Sequence, residues 1–190
     1  SGAQANILEK EPEWVGKYGE KDADFCTNEA HTEPLLKQLV EYGGYFIEAD
    51  LPSPLMGYPG ALGLDLTEEA GDFEKILAKV ESAINEKGGA GRFGTWAYSY
   101  GYTLSAGLAQ HAKNVIDGTA DLTDMDDGAS ALQKYSPKAE WNGAGYTNAT
   151  TVVKSDKVFL NYQDTYIMGD PGKFMGNAEV EIPEKYFTIS

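Results

Sequence analysis

Apolar residues recur at helical spacing in three stretches of the chain, and short runs of β-forming residues separate them. Leu35, Leu36, Leu39 and Val40 make one stripe, Phe73, Ile76, Leu77, Val80 and Ile84 the clearest one, and Leu104, Leu108, Ala112, Val115 and Ile116 a third. Each predicts an amphipathic helix, stopped in turn by Gly43-Gly44, Gly88-Gly89 and Gly118. Ala3, Ile7, Trp14, Val15 and Tyr18 fit a further helix face imperfectly, and Pro12 marks a break, a kink or a second start within it. Between these stretches, Ala23 to Cys26, Tyr45 to Ala49, Ala61 to Leu66 and Arg92 to Tyr100 read as strands, while Asp50 to Gly60, with its three prolines, reads as a loop.

Helix and strand thus alternate up to about residue 118. That order predicts βαβ units, hence an α/β fold: a Rossmann-like three-layer lobe with a parallel sheet covered by helices on both faces, spanning residues 1–118. From 119 to 190 the texture changes to an acidic stretch, a Gly/Asn/Thr-rich stretch from Trp141 to Thr151, and β-type segments at Val158 to Tyr162 and Glu179 to Ile182. So thin an apolar content predicts a β/irregular C-terminal extension that packs on the first region or on another domain.

The 190 residues carry 30 acidic and 15 basic side chains, a formal charge of −15 that repels a phosphate backbone and argues against nucleic acid as a partner. No stretch approaches the roughly 20 apolar residues of a membrane span, so direct membrane insertion is not expected. One cysteine, Cys26, forms no internal disulfide and leaves the compartment open. The chain opens at Ser1 without an initiator Met, which suggests a mature product or a fragment whose upstream part is missing.

Several motifs have plainer explanations than chemistry. Gly89-Ala90-Gly91-Arg92-Phe93-Gly94 has the dinucleotide spelling GxGxxG, yet it follows a helix and leads into a strand, the reverse of what pyrophosphate binding requires. Asp121, Asp124, Asp126 and Asp127 lack the spacing of a calcium loop and read as solvated surface. Cys26, His31 and His111 stand too far apart in sequence to suggest zinc. No nucleophile elbow surrounds a serine. Neither cofactor nor metal nor catalytic residue is expected.

What remains is positional. Open parallel sheets bind ligands at the carboxyl ends of their strands, which here read Thr27-Asn28-Glu29, Asp50 with the following prolines, and Trp96 to Tyr100. Trp96, Tyr98 and Tyr100 alternate as if toward one face, with Asn28, Asp50 and Ser99 available to hydrogen-bond a polar ligand; the alternative is that the aromatics are core and the polar residues cap turns.

Phe25 to Glu29, the helix from Pro34 to Tyr42, and Tyr45 to Asp50 with Pro52 together resemble the C-terminal lobe of type I periplasmic-binding proteins, where a strand, a "TN" turn, a helix and a strand ending in Asp recur. Ser1 to Gln4, Trp14-Val15, Lys17 to Gly19, Pro52 to Pro54, Gly57 to Gly63 and Gly91 to Trp96 look like an uncharacterised bacterial branch of that superfamily, thought to be exported lipoproteins. The likeness covers roughly residues 1–118. It implies a non-enzymatic solute-binding protein serving ABC-type uptake or sensing, extracellular or periplasmic and lipid-anchored through a missing N-terminus. The expected partners are a small polar ligand, a missing N-terminal lobe and an ABC permease. It places Thr27, Asn28, Glu29, Asp50, Trp96, Tyr98 and Tyr100 on one wall of a ligand cleft. Two alternatives use the same scaffold: the sensing domain of a transcription regulator, and a hydrolase or isomerase with Glu29 or Asp50 as base.

Overall fold

The computed structural model describes residues 2–46, 51–147 and 154–176. In chain order the elements are helix α1 (Gly2–Tyr18), strand β1 (Ala23–Asp24), a single 3-10 turn (Glu29–His31), α2 (Thr32–Tyr42), β2 (Tyr45–Phe46), α3 (Tyr58–Leu62), α4 (Phe73–Glu86), β3 (Gly94–Thr95), α5 (Tyr100–Ile116), α6 (Met125–Gln133), β4 (Trp141–Thr147), β5 (Lys154–Gln163), β6 (Tyr166–Ile167) and β7 (Lys173–Phe174).

Local chemistry accounts for the helix boundaries. Asp72 caps α4 by accepting from the Lys75 amide at 3.2 Å, Ser99 caps α5 through Tyr102 N, and Asp124 caps α6 through the amides of Asp126 and Asp127. The helix α1 runs unbroken with Pro12 inside it. The carbonyl that Pro12 leaves without a donor belongs to Leu8, an exposed residue, so water can satisfy it.

β1 and β2 pair in parallel, and a parallel bridge between Phe46 and Phe93, with Phe46 N donating to Arg92 O at 2.9 Å, joins them to β3. β6 pairs antiparallel with β3, and β7 antiparallel with β6. The strands therefore follow one another in the order β1-β2-β3-β6-β7. The fold is mixed α/β, parallel where the sequence alternates strand and helix and antiparallel where the C-terminal stretch adds β6 and β7. β4 and β5 form a separate antiparallel hairpin with an irregularity between Gly145 and Tyr146.

The core lies where α2 and α4 meet these strands. Leu35, Leu36 and Leu39 of α2 and Ile76, Val80 and Ile84 of α4 pack with Phe46, Tyr58, Phe93 and Met168. Burial of these side chains is the main favourable term holding the fold together, at ~25 cal/mol per Å² of apolar surface removed from water.

Several expectations need correction. The alternation at Ala61 to Leu66 is no strand among the described residues: α3 runs to Leu62, entered through Pro59 in its first turn and ended by Gly63 in the left-handed region at φ 68°. Of Arg92 to Tyr100, only Gly94–Thr95 is strand, and Tyr100 already opens α5 because Ser99 caps it. The stripe from Leu104 to Ile116 is not the buried face of α5. Thr103, Gly107 and His111 are buried instead, while Leu108 is exposed and Ile116 is 85% exposed. A Cβ on Gly107 would stand 2.6 Å from Leu132 Cδ2 and 2.8 Å from Leu132 Cα, so α6 approaches α5 too closely for a large side chain. The first part of the Gly/Asn/Thr-rich stretch from Trp141 to Thr151 is β4, Trp141–Thr147. The β-type segment at Val158 to Tyr162 lies within β5, and that at Glu179 to Ile182 lies outside the described residues.

Candidate functional site

Because β1, β2 and β3 run in parallel, their carboxyl ends share one edge of the sheet. The segment that follows β1 carries Thr27, Asn28 and Glu29, all exposed. Asn28 Oδ1 accepts from Ala30 N at 2.9 Å, so this side chain caps the 3-10 turn. Asp50, the residue expected beyond β2, lies outside the described residues. Leu51 and Pro52 bind the segment that leaves β3: Trp96 N donates to Leu51 O at 3.0 Å and Tyr100 N to Pro52 O at 2.9 Å. The Pro-rich loop and the aromatic segment are thereby fixed side by side.

The three aromatics of that segment do not share a face. Trp96 and Tyr100 pack with ring centroids 4.4 Å apart, and Tyr100 stacks on Trp141 of β4 at 6.1 Å and 25°. Trp96, Tyr100 and Trp141 are all half-buried, so this row of packed rings, the shelf, keeps part of its surface accessible. Tyr100 OH donates to Asn161 O at 3.4 Å, and Trp141 Nε1 donates to Ser136 Oγ at 2.6 Å, which ties the shelf to β5 and to the end of α6. Gln163 faces Trp141 directly across the hairpin; it is buried, and neither its amide oxygen nor its amide nitrogen has a partner among the described residues. Such a group costs free energy unless water or a ligand supplies the missing bonds.

Tyr98 turns the other way. It is only 6% exposed, against the expectation of an accessible ring beside Trp96, because the chain is already bending into the cap of α5. Its hydroxyl donates to Glu74 Oε1 at 3.3 Å, and desolvation, helped by the Glu74 charge, pushes its pKa up to about 12. It lines a cavity of about 320 Å³ that also holds Glu74, Leu77, Ala78 and Glu81 of α4. Across from α4 stand Ala97, Tyr166, Phe174 and Lys138. Tyr166 OH donates to Glu81 Oε1 at 2.9 Å, and burial followed by that carboxylate raises the Tyr166 pKa as well. A second hollow, of about 310 Å³, lies beside Tyr45, Arg92, Ile167 and Met175 on the strands themselves.

Trp141, Gln163, Glu74, Glu81 and Tyr166 are not singled out by the sequence. Only the Glu pair leaves a local sign: seven residues apart on a helix, they fall two turns along one face.

The motifs set aside have structural employment. Gly89 to Gly94 connects α4 to β3, and Asp121 and Asp124 accept hydrogen bonds from nearby backbone amides. Among the described residues no three His, Cys, Asp or Glu side chains gather where they would hold a metal ion. Cys26 and His111 are buried, and His31 is half-buried. No described helix is long and apolar enough to cross a membrane.

Residues 1–94 match the model of a family described as "Protein of unknown function (DUF3798)", and residues 105–189 match a second family model. A protein of Treponema pallidum (strain Nichols) described as uncharacterised is 39% identical over 71 residues, which cover 37% of this chain and 31% of that one. Among solved structures, a chain described as a "Putative transcriptional regulator" from Clostridium difficile 630 superposes with a TM-score of 0.70 at 20% identity, covering 86% of this chain and 46% of that chain. The matched stretches therefore cover less than half the length of either protein, and what this chain shares with the solved chain is the fold.

Proposed function

We propose that this chain is one lobe of a two-lobed solute-binding protein of the type I periplasmic-binding-protein kind, a three-layer α/β lobe that closes with a second lobe on a small polar ligand. The observation that carries the proposal is the Trp96–Tyr100–Trp141 shelf, which lies where the parallel strands end and is backed by the amide of Gln163, unpartnered among the described residues. An aromatic shelf with a buried amide behind it suits a ligand with one flat or apolar face and a hydrogen-bonding rim. One wall leaves such a ligand half solvated, so a second lobe is needed to exclude water. Span agrees: the chain covers 46% of the solved chain whose fold it shares. Binding without turnover, outside the cytoplasmic membrane and in company with an ABC permease, is the role we assign to the pair of lobes.

Sensing by a transcription regulator is the second reading, favoured by the description of that solved chain as a regulator. The two differ in what accompanies the lobes: an export signal with a lipid-attachment cysteine in the first, a helix-turn-helix in the second.

The test uses the full-length gene product, screened against metabolites by thermal shift and then measured by calorimetry on the best stabiliser. Trp96→Ala is expected to weaken binding by about 1–3 kcal/mol while the unliganded melting temperature stays nearly unchanged. A variant that unfolds, or one that binds like the parent, would make the shelf a piece of core and remove the basis of the proposal.

A further inference from the structure

The cavity under α4 is separate from the shelf and carries its own chemistry. Glu74 Oε2 receives Lys138 Nζ at 2.8 Å and Glu74 Oε1 receives Tyr98 OH, so this carboxylate is neutralised and hydrogen-bonded. Glu81 is different. Its Oε1 accepts from both Tyr166 OH at 2.9 Å and Gly169 N at 3.0 Å, which fixes the plane of the carboxylate, while Oε2 has no partner among the described residues. Two carboxylates and one ammonium leave a single uncompensated negative charge, and it sits on Glu81. Beside it the rings of Tyr166 and Phe174 meet edge to face at 5.0 Å, and both line the same cavity. Leu77, Ala78 and Ala97 supply apolar wall. The chain also presses on this arrangement from behind: a Cβ on Gly172 would run into Glu81 Oε1 and Tyr166 OH, so no side chain fits between the lock and the backbone.

We propose that this cavity is a second ligand site, one that takes a small organic monocation: an ammonium group carrying an apolar body of a few carbons. A carboxylate with a free oxygen next to two aromatic rings attracts a cation through both the charge and the ring quadrupoles. The same carboxylate repels an anion. The apolar wall rejects a hydrated inorganic ion, which needs more oxygen ligands than the cavity offers. At about 320 Å³ the space suits a molecule well below drug size. This inference does not rest on the shelf; either site can exist without the other.

The test uses 3-methylbutylamine, protonated at pH 7, and its neutral counterpart 3-methylbutan-1-ol, titrated into the chain by NMR. The amine should bind about tenfold or more tightly than the alcohol. Glu81→Gln keeps a carbonyl for Tyr166 and Gly169 and removes the charge, so it should erase that preference. Lys138→Met alters an exposed side chain and removes the competing ammonium, so it should tighten amine binding several-fold, an opposite sign that a folding defect would not mimic. Trp96→Ala should leave amine binding unchanged. Equal affinity for amine and alcohol, or a preference that survives Glu81→Gln, would overturn the proposal.

Discussion

Replacing Glu11 by Gln is expected to remove a pH dependence of stability worth roughly 3 kcal/mol between pH 4 and pH 8. Glu11 is fully buried on the inner face of α1, and neither carboxylate oxygen has a partner among the described residues. Desolvation first, and then the charges of Asp24 and Asp22, raise its pKa from the ordinary 4.5 to about 7. The sign follows from where the proton is held. In the folded protein Glu11 keeps its proton up to about pH 7, whereas the unfolded chain releases it near 4.5. The stabilisation is therefore complete below pH 4.5 and is lost as the pH rises through 7. A gap of about 2.5 pH units, at ~1.36 kcal/mol each, gives ~3 kcal/mol. Asp24, with a buried oxygen that has no partner among the described residues and a pKa also raised by burial, pushes the same way. The rest of this acidic chain repels itself more as pH rises, so the informative quantity is the difference between parent and Glu11→Gln in urea unfolding at pH 4.5 and pH 8. That difference should grow with pH in favour of the variant; a constant difference would mean that Glu11 finds a compensating partner. The cost should first be relieved by undocking α1, whose buried residues are only Glu11 and Val15. Hydrogen exchange in α1 should accelerate with pH beyond the chemical rate in the parent and not in the variant.

What is legible in the sequence, and what is hidden, divides along the range of the interactions. The helices α2 and α4 are readable because their buried faces, Leu35-Leu36-Leu39 and Ile76-Val80-Ile84, follow the local period of the chain. The stripe on α5 misleads because the partner helix α6 comes close enough to demand Gly107 at the contact, and close approach has no apolar signature. The alternation of Trp96, Tyr98 and Tyr100 looks like a strand, yet Ser99 caps a helix in the middle of it; a serine at the start of a helical run is a local sign of that cap. At the site, the exposed Thr27 to Glu29 turn and the Trp96–Tyr100 contact are foreseeable from strand ends. Trp141 and Gln163 are not. They reach the shelf through hairpin pairing and through β6 adding itself to β3, both long-range events that leave no periodicity in the segments themselves.

Phe93→Ala should be the most damaging single change in the Gly89 to Gly94 run, costing about 3–5 kcal/mol and lowering the melting temperature by ~10 °C or more. Phe93 is fully buried, and its backbone holds the centre of the sheet: it bridges Phe46 in parallel on one side, and its carbonyl accepts Met168 N at 2.9 Å on the other. Its ring meets Tyr58 edge to face at 6.5 Å, Tyr58 meets Phe46 in the same way at 6.4 Å, and Tyr58 OH donates to Gly94 O at 2.7 Å. Removing the ring opens a cavity among side chains whose backbones are pinned by these bonds, so the site has little freedom to collapse. Two of the glycines around it, Gly89 and Gly94, serve the same packing. A Cβ on Gly89 would lie 2.7 Å from Ile84 Cγ2 and 2.9 Å from Phe93 Cε2, and one on Gly94 would lie 3.1 Å from Ile167 Cδ1. The run thus spells a dinucleotide fingerprint for local reasons: a side chain at Gly89 or Gly94 would crowd α4, β3 and β6, while Gly91, with open space around it, holds a φ of 77° that favours glycine, and phosphate binding is not needed to explain it. Ala90, exposed in the same run, is the control: Ala90→Ser should change stability by no more than about 0.5 kcal/mol. Urea unfolding of the two variants decides the matter, and a Phe93→Ala protein within ~1 kcal/mol of the parent would show that the run is not a core anchor.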